Sequence, residues 1–542
     1  MAEMMFWGFA TRFIVSLVQA SPFILVGFAV AAVLRRFFGY EETRKLFGEG
    51  TRSALFRAWV IGMLLPVCSL GAIPVIREMR RAGIRGGTIL AFAMSGPLFN
   101  PLSLLYGLTL SEPIAILSFA ACSLLIVTIV GLIWDRMFPD SALPILEEKA
   151  VAYGYRRILA VGTAAGREAT SASLLYILLG LAGVGLLGAF IPANSLQHTF
   201  NYDNPMAPLY MTGMAIPVYA TPMQAMSQLG MMFQHANSIG AAFVLLVLGA
   251  GMNLGIVAWL YREYGFKRGT TWLVLLLSIV LALAYGVDQP LFPKDIEPAN
   301  HTHAFDIYCQ PFSGPLSTSY YEATKLKLQR DFNPFEWRPL WIFGLLVFSG
   351  VVLRITDPSS KLERWLEATP PSENAGRGDI IVPGPVLGLL SLAGLVILSI
   401  VGCFAYYPAP DDCLEAMTDS RVEALSAALA MDHPATKYWA ERYDDWTRKL
   451  EVGAWLRHRE LSDYHRWKAR LLREQLEILE HEVEDGERAE VIQLIAKISR
   501  THARMRRAFT EEFQAGFRID QIWVPQQPSM GLSARGGTIQ LQ

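Results

Sequence analysis

Apolar residues along this chain gather into long runs, which are separated by short and strongly charged segments. A helix needs about 20 residues to cross the hydrocarbon core of a bilayer, and most of these runs have that length. They predict continuous spanning helices at residues 13–34, 88–108, 113–134, 172–192, 238–261, 270–288, 339–353 and 383–407. The pattern therefore predicts an all-α polytopic membrane protein.

Two further apolar stretches, 55–76 and 208–232, contain residues that disfavour a continuous helix. These residues are Pro66, Gly71 and Pro74 in the first stretch and Gly213, Pro217 and Pro222 in the second. Proline removes a backbone donor and its ring clashes with the preceding turn, so an unbroken span is disfavoured in both places. We interpret each stretch as a re-entrant hairpin.

Lysine and arginine place the two hairpins on opposite faces of the membrane. Basic residues collect in short cytoplasmic loops, and both flanks of the stretch 55–76 are rich in arginine. The flanks of 208–232 contain no lysine or arginine, whereas the connectors around 135–170 and 262–268 are basic. The first hairpin is therefore predicted to enter from the cytoplasm and the second from the outer face.

These assignments give two units with one plan: span, re-entrant hairpin, span, span. The units cover residues 1–140 and 141–290 and form an inverted-topology repeat, as in many secondary transporters whose broken helices meet near the midplane. The rest of the chain is predicted to form an extracytoplasmic loop (291–338), a two-span anchor (339–407) and a soluble helical domain (408–542). Matching positions support the repeat: Pro66 and Val67 with Pro217 and Val218, then Gly87, Gly96 and Asn100 with Gly240, Gly249 and Asn253 at identical spacing.

The last segment has the periodicity of amphipathic helices. Apolar residues recur at helical spacing from Trp455 to Leu479 and again from Val491 to Phe509, with a break near Gly486. A shorter helix is predicted near residues 418–431. Two alternatives are open for the apolar stripes: they form the core of this domain, or they dock on a partner or on a second copy of the chain. The charge pattern places the domain on the extracytoplasmic side.

Composition narrows the classes of function. The formal net charge of −1 over 542 residues leaves no basic excess to neutralise phosphates, which excludes a nucleic-acid binder. The first apolar run follows no basic n-region and leads to no small-residue cleavage site, so it is predicted to be a retained span in a bacterial-type inner membrane. The sequence contains no Walker A motif and no nucleophile–base pair, which favours a permease over an enzyme.

The most informative local sequence is the hairpin PVCSLGAIP at residues 66–74, followed by a basic turn and by SGPLFNP at residues 95–101. This region, about residues 10–290, resembles the predicted permeases of the ArsP/YraQ type, whose hairpin typically reads Pro-x-Cys-Ser-Cys-Gly-x-x-Pro. The resemblance implies a permease architecture and efflux of trivalent organoarsenicals, with the hairpin cysteines handling the solute. Leu70 stands where the family has its second cysteine, and a single thiolate holds a soft metalloid poorly.

The two hairpins and two polar residues of neighbouring spans form the predicted solute pathway. Broken helix ends expose backbone groups that can bind an ion or a polar solute. Taken with the substrate class that the resemblance implies, the expected cargo is a small solute such as a metal ion, metalloid or oxyanion. A second interpretation is open for the two asparagines, in which they cap or cross-link broken helices. The candidates are Cys68, Ser69, Asn100, Tyr219, Thr221, Gln224 and Asn253, with Pro66, Gly71, Pro97, Pro217 and Pro222 as structural hinges.

A second candidate site lies in the loop 291–338, where imidazole, carboxylate and thiol groups are close in sequence. They belong to His301, His303, Asp306 and Cys309. These donors suit zinc or copper, which would make the chain a membrane-anchored metal-handling or assembly factor. The alternative is a polar loop in which Cys309 is buried, or pairs with Cys413 in an oxidising compartment.

Overall fold

The chain is built from helices, as its apolar runs predict. The computed structural model describes residues 1–48, 51, 53–110, 113–139, 155–292, 302–312, 314, 319–367, 384–459 and 461–512, and none of these residues forms a strand. Contacts within the chain divide it into two compact units, Met1–Tyr406 and Tyr407–Gln542. The first unit holds the long apolar helices.

The first unit begins with one long apolar helix. α1 (Ala2–Val33) continues through a π-helical segment (Leu34–Phe38) into α2 (Gly39–Leu46). Four shorter helices and a long one follow: α3 (Ala54–Leu64), α4 (Ser69–Arg81), α5 (Gly86–Ser95), α6 (Pro101–Gly107) and α7 (Pro113–Met137).

A second set of helices repeats this order after α8 (Tyr155–Ala169). It consists of α9 (Ala172–Phe190), α10 (Ala207–Ala215), α11 (Pro222–Gln234), α12 (Ile239–Val244) with a π-helical continuation (Leu245–Ala250), α13 (Leu254–Tyr264) and α14 (Phe266–Asp288). The unit ends with α15 (Tyr320–Asp331), α16 (Arg338–Thr356), α17 (Lys361–Glu367) and α18 (Gly384–Tyr406).

Within the described residues, six helices are long and apolar enough to cross a membrane. They lie at Ala2–Leu46, Pro113–Met137, Ala172–Phe190, Phe266–Asp288, Arg338–Thr356 and Leu389–Tyr406. Each coincides with a span predicted from the sequence. The protein is therefore an all-helical, multi-pass membrane protein.

Two predicted spans, 88–108 and 238–261, are wrong as continuous helices. The first is divided between α5 and α6, and the second is divided before α13, where the two halves meet at 60°. Each second half begins at an asparagine, because the side chains of Asn100 and Asn253 cap α6 and α13. The asparagines are helix starts of the kind that Ser, Thr, Asp and Asn favour, and not polar residues inside a span.

The breaks predicted near Pro66 and Pro217 are present between α3 and α4 and between α10 and α11. The first unit therefore contains four interrupted helices. We call their interruptions the break cluster, which comprises residues 65–68, 96–100, 216–221 and 251–253.

The two helix sets, α3–α7 and α10–α14, share one contact in detail. Gly87 N donates to Asp135 Oδ1 at 2.8 Å, and Gly240 N donates to Asp288 Oδ1 at 2.7 Å. Each pair is 48 residues apart, and each carboxylate lies at the N-terminus of a helix that leads into a break. Both glycines belong to the positions that the sequence matches. The membrane face from which each set enters stays a prediction.

Small residues let α1 pack directly against the first turn of α4, beside the first break. A Cβ atom on Gly27 would overlap the carbonyl oxygen of Gly71, and a Cβ atom on Gly71 would overlap the carbonyl oxygen of Phe23. Both obstacles are backbone atoms, so no side-chain rotation relieves the clash. Close backbone approach of this kind is how small residues hold membrane helices together.

Gly27→Ala is expected to destabilise the protein, because the added methyl group forces α1 and α4 apart. We expect a loss of about 1–3 kcal/mol, the usual range for overpacking. Thermal unfolding of the detergent-purified protein measures it. Gly344→Ala is the matched control, since a Cβ atom there meets nothing within 4 Å on the helix α16. Equal melting temperatures for the two variants would contradict the prediction.

The described part of the second unit contains four α-helices, α19 (Pro410–Leu429), α20 (His433–His458), α21 (Asp463–Asp485) and α22 (Arg488–Arg507), and a π-helical segment (Ala508–Glu512). The predicted break at Gly486 is present, with the left-handed φ of +81° that ends α21. The apolar periodicity does not predict α20, because charged and aromatic residues are spread around the whole circumference of this helix. Trp455, where the first predicted stripe begins, belongs to α20. The apolar stripes form the core of the unit, where burial lowers the pKa of His502 to about 4.

Candidate functional site

The four interruptions of the break cluster meet one another inside the first unit. Ala220 N donates to Gly249 O at 3.2 Å, which joins the third interruption to the helix end before the fourth. A Cβ atom on Gly251 would lie 3.1 Å from Leu98 Cδ2, which joins the fourth to the second. A Cβ atom on Gly96 would lie 3.4 Å from Val67 Cγ2, which joins the second to the first.

The first and third interruptions also meet, through Cys68 and Tyr219. The phenol and the thiol lie within range of a side-chain interaction. The start of α13 lies close to the start of α4, because the side chains of Leu70 and Asn253 both press on the same glycine of α9, Gly180. The break cluster is therefore one continuous region that both helix sets build.

Four predicted pathway residues are helix caps at these interruptions. Cys68 Sγ accepts from Gly71 N at 3.4 Å, and Thr221 Oγ1 accepts from Gln224 N at 3.2 Å. The asparagines make the shorter caps: Asn100 Oδ1 accepts from Ser103 N at 2.8 Å, and Asn253 Oδ1 accepts from Ile256 N at 3.0 Å. Each cap satisfies one of the backbone donors that a helix start leaves without a partner.

Polar atoms at the same place lack a hydrogen-bond partner among the described residues. They are Ser69 Oγ, Asn100 Nδ2 and Asn253 Nδ2. All three residues are at most 1 % exposed. Leaving such a buried group unpaired costs about 1–3 kcal/mol, and native proteins usually pair it with a water, an ion or a ligand. The break cluster thus offers unused binding capacity at its centre.

The other predicted residues lie around this centre. Pro66, Pro97 and Pro217 fall inside interruptions, whereas Gly71 lies within the first turn of α4. Their role as hinges stays a prediction. Pro222 is the first residue of α11, a position where its missing N–H costs nothing. The Gln224 side chain is half-buried in the first turn of the same helix.

A segment of the loop 291–338 packs against the second hairpin, and we call residues 302–312 the docked loop. Tyr308 is fully buried and its hydroxyl donates to Gln228 Oε1 at 3.0 Å. Gln228 Nε2 in turn donates to Ala304 O at 2.9 Å, while Arg12 Nε donates to Cys309 O at 2.9 Å. Gln228 belongs to α11, which begins directly after the third interruption. The docked loop therefore contacts a helix that starts at the break cluster.

Sequence reasoning missed Arg12, Gln228 and Tyr308 as a set. A signal was available for Arg12, because a charged residue in an apolar run usually faces the protein interior and has a partner. Gln228 carries the same signal more weakly, as an amide in the apolar stretch 208–232. Nothing in the sequence indicates Tyr308, because its role depends on a contact with α11 that lies far away along the chain.

The predicted metal ligands are only partly brought together. His303 Nδ1 lies 2.8 Å from Asp306 Oδ2, and Gln197 Nε2 lies 3.1 Å from the same imidazole nitrogen. The thiol of Cys309 is turned toward the carbonyl oxygen of Phe305, at 3.6 Å. His301 lies outside the described residues. A metal site in this loop stays a prediction.

All five cysteines are free thiols. The alternative in which Cys309 forms a disulfide with Cys413 is therefore wrong for this structure. Cys309 is buried, which agrees with the other alternative of a polar loop around a buried thiol.

A network of buried charges lies at the opposite end of α4 from the break. Arg77 binds Glu168 and the hydroxyls of Ser171 and Ser173. Arg81 Nη1 lies 3.0 Å from Glu168 Oε2 and 2.8 Å from Glu78 Oε2. These arginines served the sequence argument only as markers of the cytoplasmic side. In the structure they fix α4 to the start of α9.

Membrane-length helices around a buried polar centre made from helix breaks define a polytopic membrane protein of the transporter type. Residues 6–288, more than half of the chain, match the model of the predicted permease family ArsP_1, and the chain belongs to that family. It is 22 % identical over 295 residues to the UPF0718 protein YcgR of Bacillus subtilis (strain 168), covering 52 % of this chain and 97 % of that protein. No solved structure gives a significant match.

The family match confirms the resemblance predicted for about residues 10–290. It covers all four interruptions and every predicted pathway residue. It ends before the docked loop and the second unit, which are therefore additions to the family region.

Proposed function

We propose that this protein is a permease that carries a small solute through the break cluster. The observation that supports this most directly is the set of three unpaired polar atoms, with the Tyr219 phenol beside the Cys68 thiol, at the meeting point of four interrupted helices. Non-helical backbone at membrane depth is tolerated where protein buries it or where it lines a cavity. A bound solute would satisfy polar atoms whose burial is otherwise unfavourable.

Both helix sets contribute to this site. Ser69 and Asn100 come from the first set, and Tyr219 and Asn253 come from the second. A solute held between them contacts both sets, so a movement of one set against the other would expose it in turn to each side of the membrane. Alternating access of this kind is the usual mechanism of transporters built from repeats.

Transport by purified protein in proteoliposomes tests the proposal, with a panel of metal ions, metalloids and oxyanions as solutes. Ser69→Ala and Tyr219→Phe each remove one buried hydroxyl of the site and leave all four capping side chains in place. We expect about tenfold weaker apparent solute affinity in each, the usual effect of losing one buried hydrogen bond. Tyr202→Phe is the control, since this tyrosine is exposed.

Two outcomes would contradict the proposal. Unchanged flux in both hydroxyl variants, in Cys68→Ala and in Asn100→Ala would place the pathway elsewhere. Absence of flux for every solute class, with well-folded protein in the vesicles, would refute the permease function itself.

A further inference from the structure

We infer that the solute of the break cluster is a small inorganic anion. This rests on the proposed function and specifies its substrate class. Three observations support it. They are the kind of polar atom left unpaired, the direction of the helices that start at the cluster, and the hydrogen bonds that nearby carbonyl and carboxylate groups already accept.

The unpaired amide atoms can only donate. In Asn100 and Asn253 the capping contact fixes the orientation of the amide, because the atom that accepts from a backbone N–H must be the oxygen. The atom left over is therefore the NH2 group, and it has no partner in either residue. The usual ambiguity between amide oxygen and nitrogen does not arise here. A donor without an acceptor calls for an anion or another acceptor as its partner.

Three longer helices begin at the same centre. α4, α11 and α13 contain 13, 13 and 11 residues and start directly after an interruption. A helix N-terminus carries a partial positive charge and backbone N–H groups that point outward, which favours a bound anion. The buried NH2 of Asn253 lies at the start of α13, and the buried hydroxyl of Ser69 lies at the start of α4.

Three carbonyl groups at helix ends beside the interruptions already have donors. Helix ends that enter the interruptions expose carbonyls, but Ser95 O accepts from Leu98 N and Met214 O accepts from Val218 N. At the end of α3, Leu64 O accepts from the hydroxyl of Ser399.

Asp135 and Asp288, one carboxylate from each helix set, are also engaged elsewhere. Asp135 and Asp288 bind Gly87 and Gly240 at the ends of α5 and α12 that are remote from the interruptions. The described part of the break cluster therefore has spare amide donors, whereas these two carboxylates and three of the helix-end carbonyls are engaged.

Two substitutions at Asn253 separate an anion from a cation. Asn253→Asp keeps a capping oxygen of the same shape and replaces the NH2 donor by a second acceptor. Asn253→Ser keeps a capping oxygen and removes the NH2 group. If the solute is an anion, both variants weaken its binding by about 10- to 100-fold at pH 8, the loss expected for a hydrogen bond to a charged group. A cation would bind Asn253→Asp as well as the wild type or better.

The matched control is Asn333→Asp. Asn333 Oδ1 accepts from Phe335 N at 2.9 Å and from Glu336 N at 3.2 Å, so it is also a capping asparagine, but it is exposed and lies before α16. It should behave as the wild type in every assay, which shows that a capping aspartate is tolerated by the fold.

Two measurements on the full chain are compared. The first is thermal stabilisation in detergent by sulfate, phosphate, nitrate and chloride as their sodium salts at equal ionic strength, with sodium gluconate as the reference. The second is flux of the same anions, of sodium and zinc ions, and of a trivalent organoarsenical into proteoliposomes. The inference expects anion-specific stabilisation and flux in the wild type and in Asn333→Asp, and the loss of both in the two Asn253 variants.

The outcomes separate the two claims. Flux of zinc or of the arsenical that survives in both Asn253 variants, without anion effects, would overturn the anion site and leave the permease standing. Stabilisation by an anion that is lost in both variants, without flux of any solute, would support the anion site and overturn the permease. No anion-specific stabilisation and no anion flux in the wild type would overturn the inference.

Discussion

Glu168→Gln is expected to reduce strongly the amount of folded protein in the membrane, because it leaves Arg77 without its counter-charge. Both side chains are largely buried, with 7 % of Glu168 and 14 % of Arg77 exposed. Removing one member of a buried ion pair typically costs about 3–5 kcal/mol, since the remaining charge keeps its desolvation penalty. Arg81 contributes less, because it is more exposed and keeps its contact with Glu78.

Size-exclusion chromatography and thermal unfolding of a fluorescent fusion measure the amount of folded protein. Glu322→Gln is the control, because it makes the same chemical change at an exposed glutamate of α15. The double variant Arg77→Met with Glu168→Gln should recover part of the loss, since no buried charge is then left alone. A melting temperature of Glu168→Gln within experimental error of the wild type would refute this account of the network.

The sequence predicts the spanning helices well because length and hydropathy are local properties. Helix ends are harder, and the interruptions at Asn100 and Asn253 show why. A polar residue inside an apolar run is compatible with a buried side chain in a continuous span and with a cap between two half-helices. The order Asn100, Pro101, Ser103 is a start signal, with proline at the first helical position and a residue that closes a capping box. Weighing that signal above hydropathy would have located the interruption.

The position of the docked loop could not be predicted from sequence. Its contact between Arg12 and Cys309 joins residues 297 positions apart, and its own residues have the composition of an ordinary polar loop. Sequence reasoning attends to the pattern His301-x-His303, because it has the spacing of metal ligands. The structure instead buries Tyr308 and bonds its hydroxyl to Gln228 of α11, which a ligand pattern does not reveal.

Tyr308→Ala is expected to make Cys68 reactive toward a membrane-impermeant thiol reagent. Tyr308 is buried and holds the docked loop on α11 through Gln228, and α11 starts at the interruption that contains Tyr219, which interacts with Cys68. Cys68 is fully buried and should react slowly in the native protein. Removing the ring leaves a cavity at this position. We expect labelling at least about tenfold faster, which corresponds to roughly 1.4 kcal/mol less free energy to open the site.

The assay uses a chain in which Cys68 is the one remaining thiol, with Cys122, Cys309, Cys403 and Cys413 replaced by alanine or serine. Tyr308→Phe keeps the ring and loses the hydrogen bond to Gln228, so labelling should stay slow if the ring is the barrier. Tyr321→Ala is the matched control, because the same side chain is removed from an exposed position.

The two tyrosine variants also decide what the docked loop does. If Tyr308→Phe is labelled as fast as Tyr308→Ala, the hydrogen bond to Gln228 holds the loop in place, and the ring itself blocks nothing. If neither variant is labelled faster than Tyr321→Ala, the docked loop does not cover the break cluster. Fast labelling of Tyr308→Ala alone would identify the loop, which lies outside the family region, as a cover that this protein adds to one end of a permease pathway.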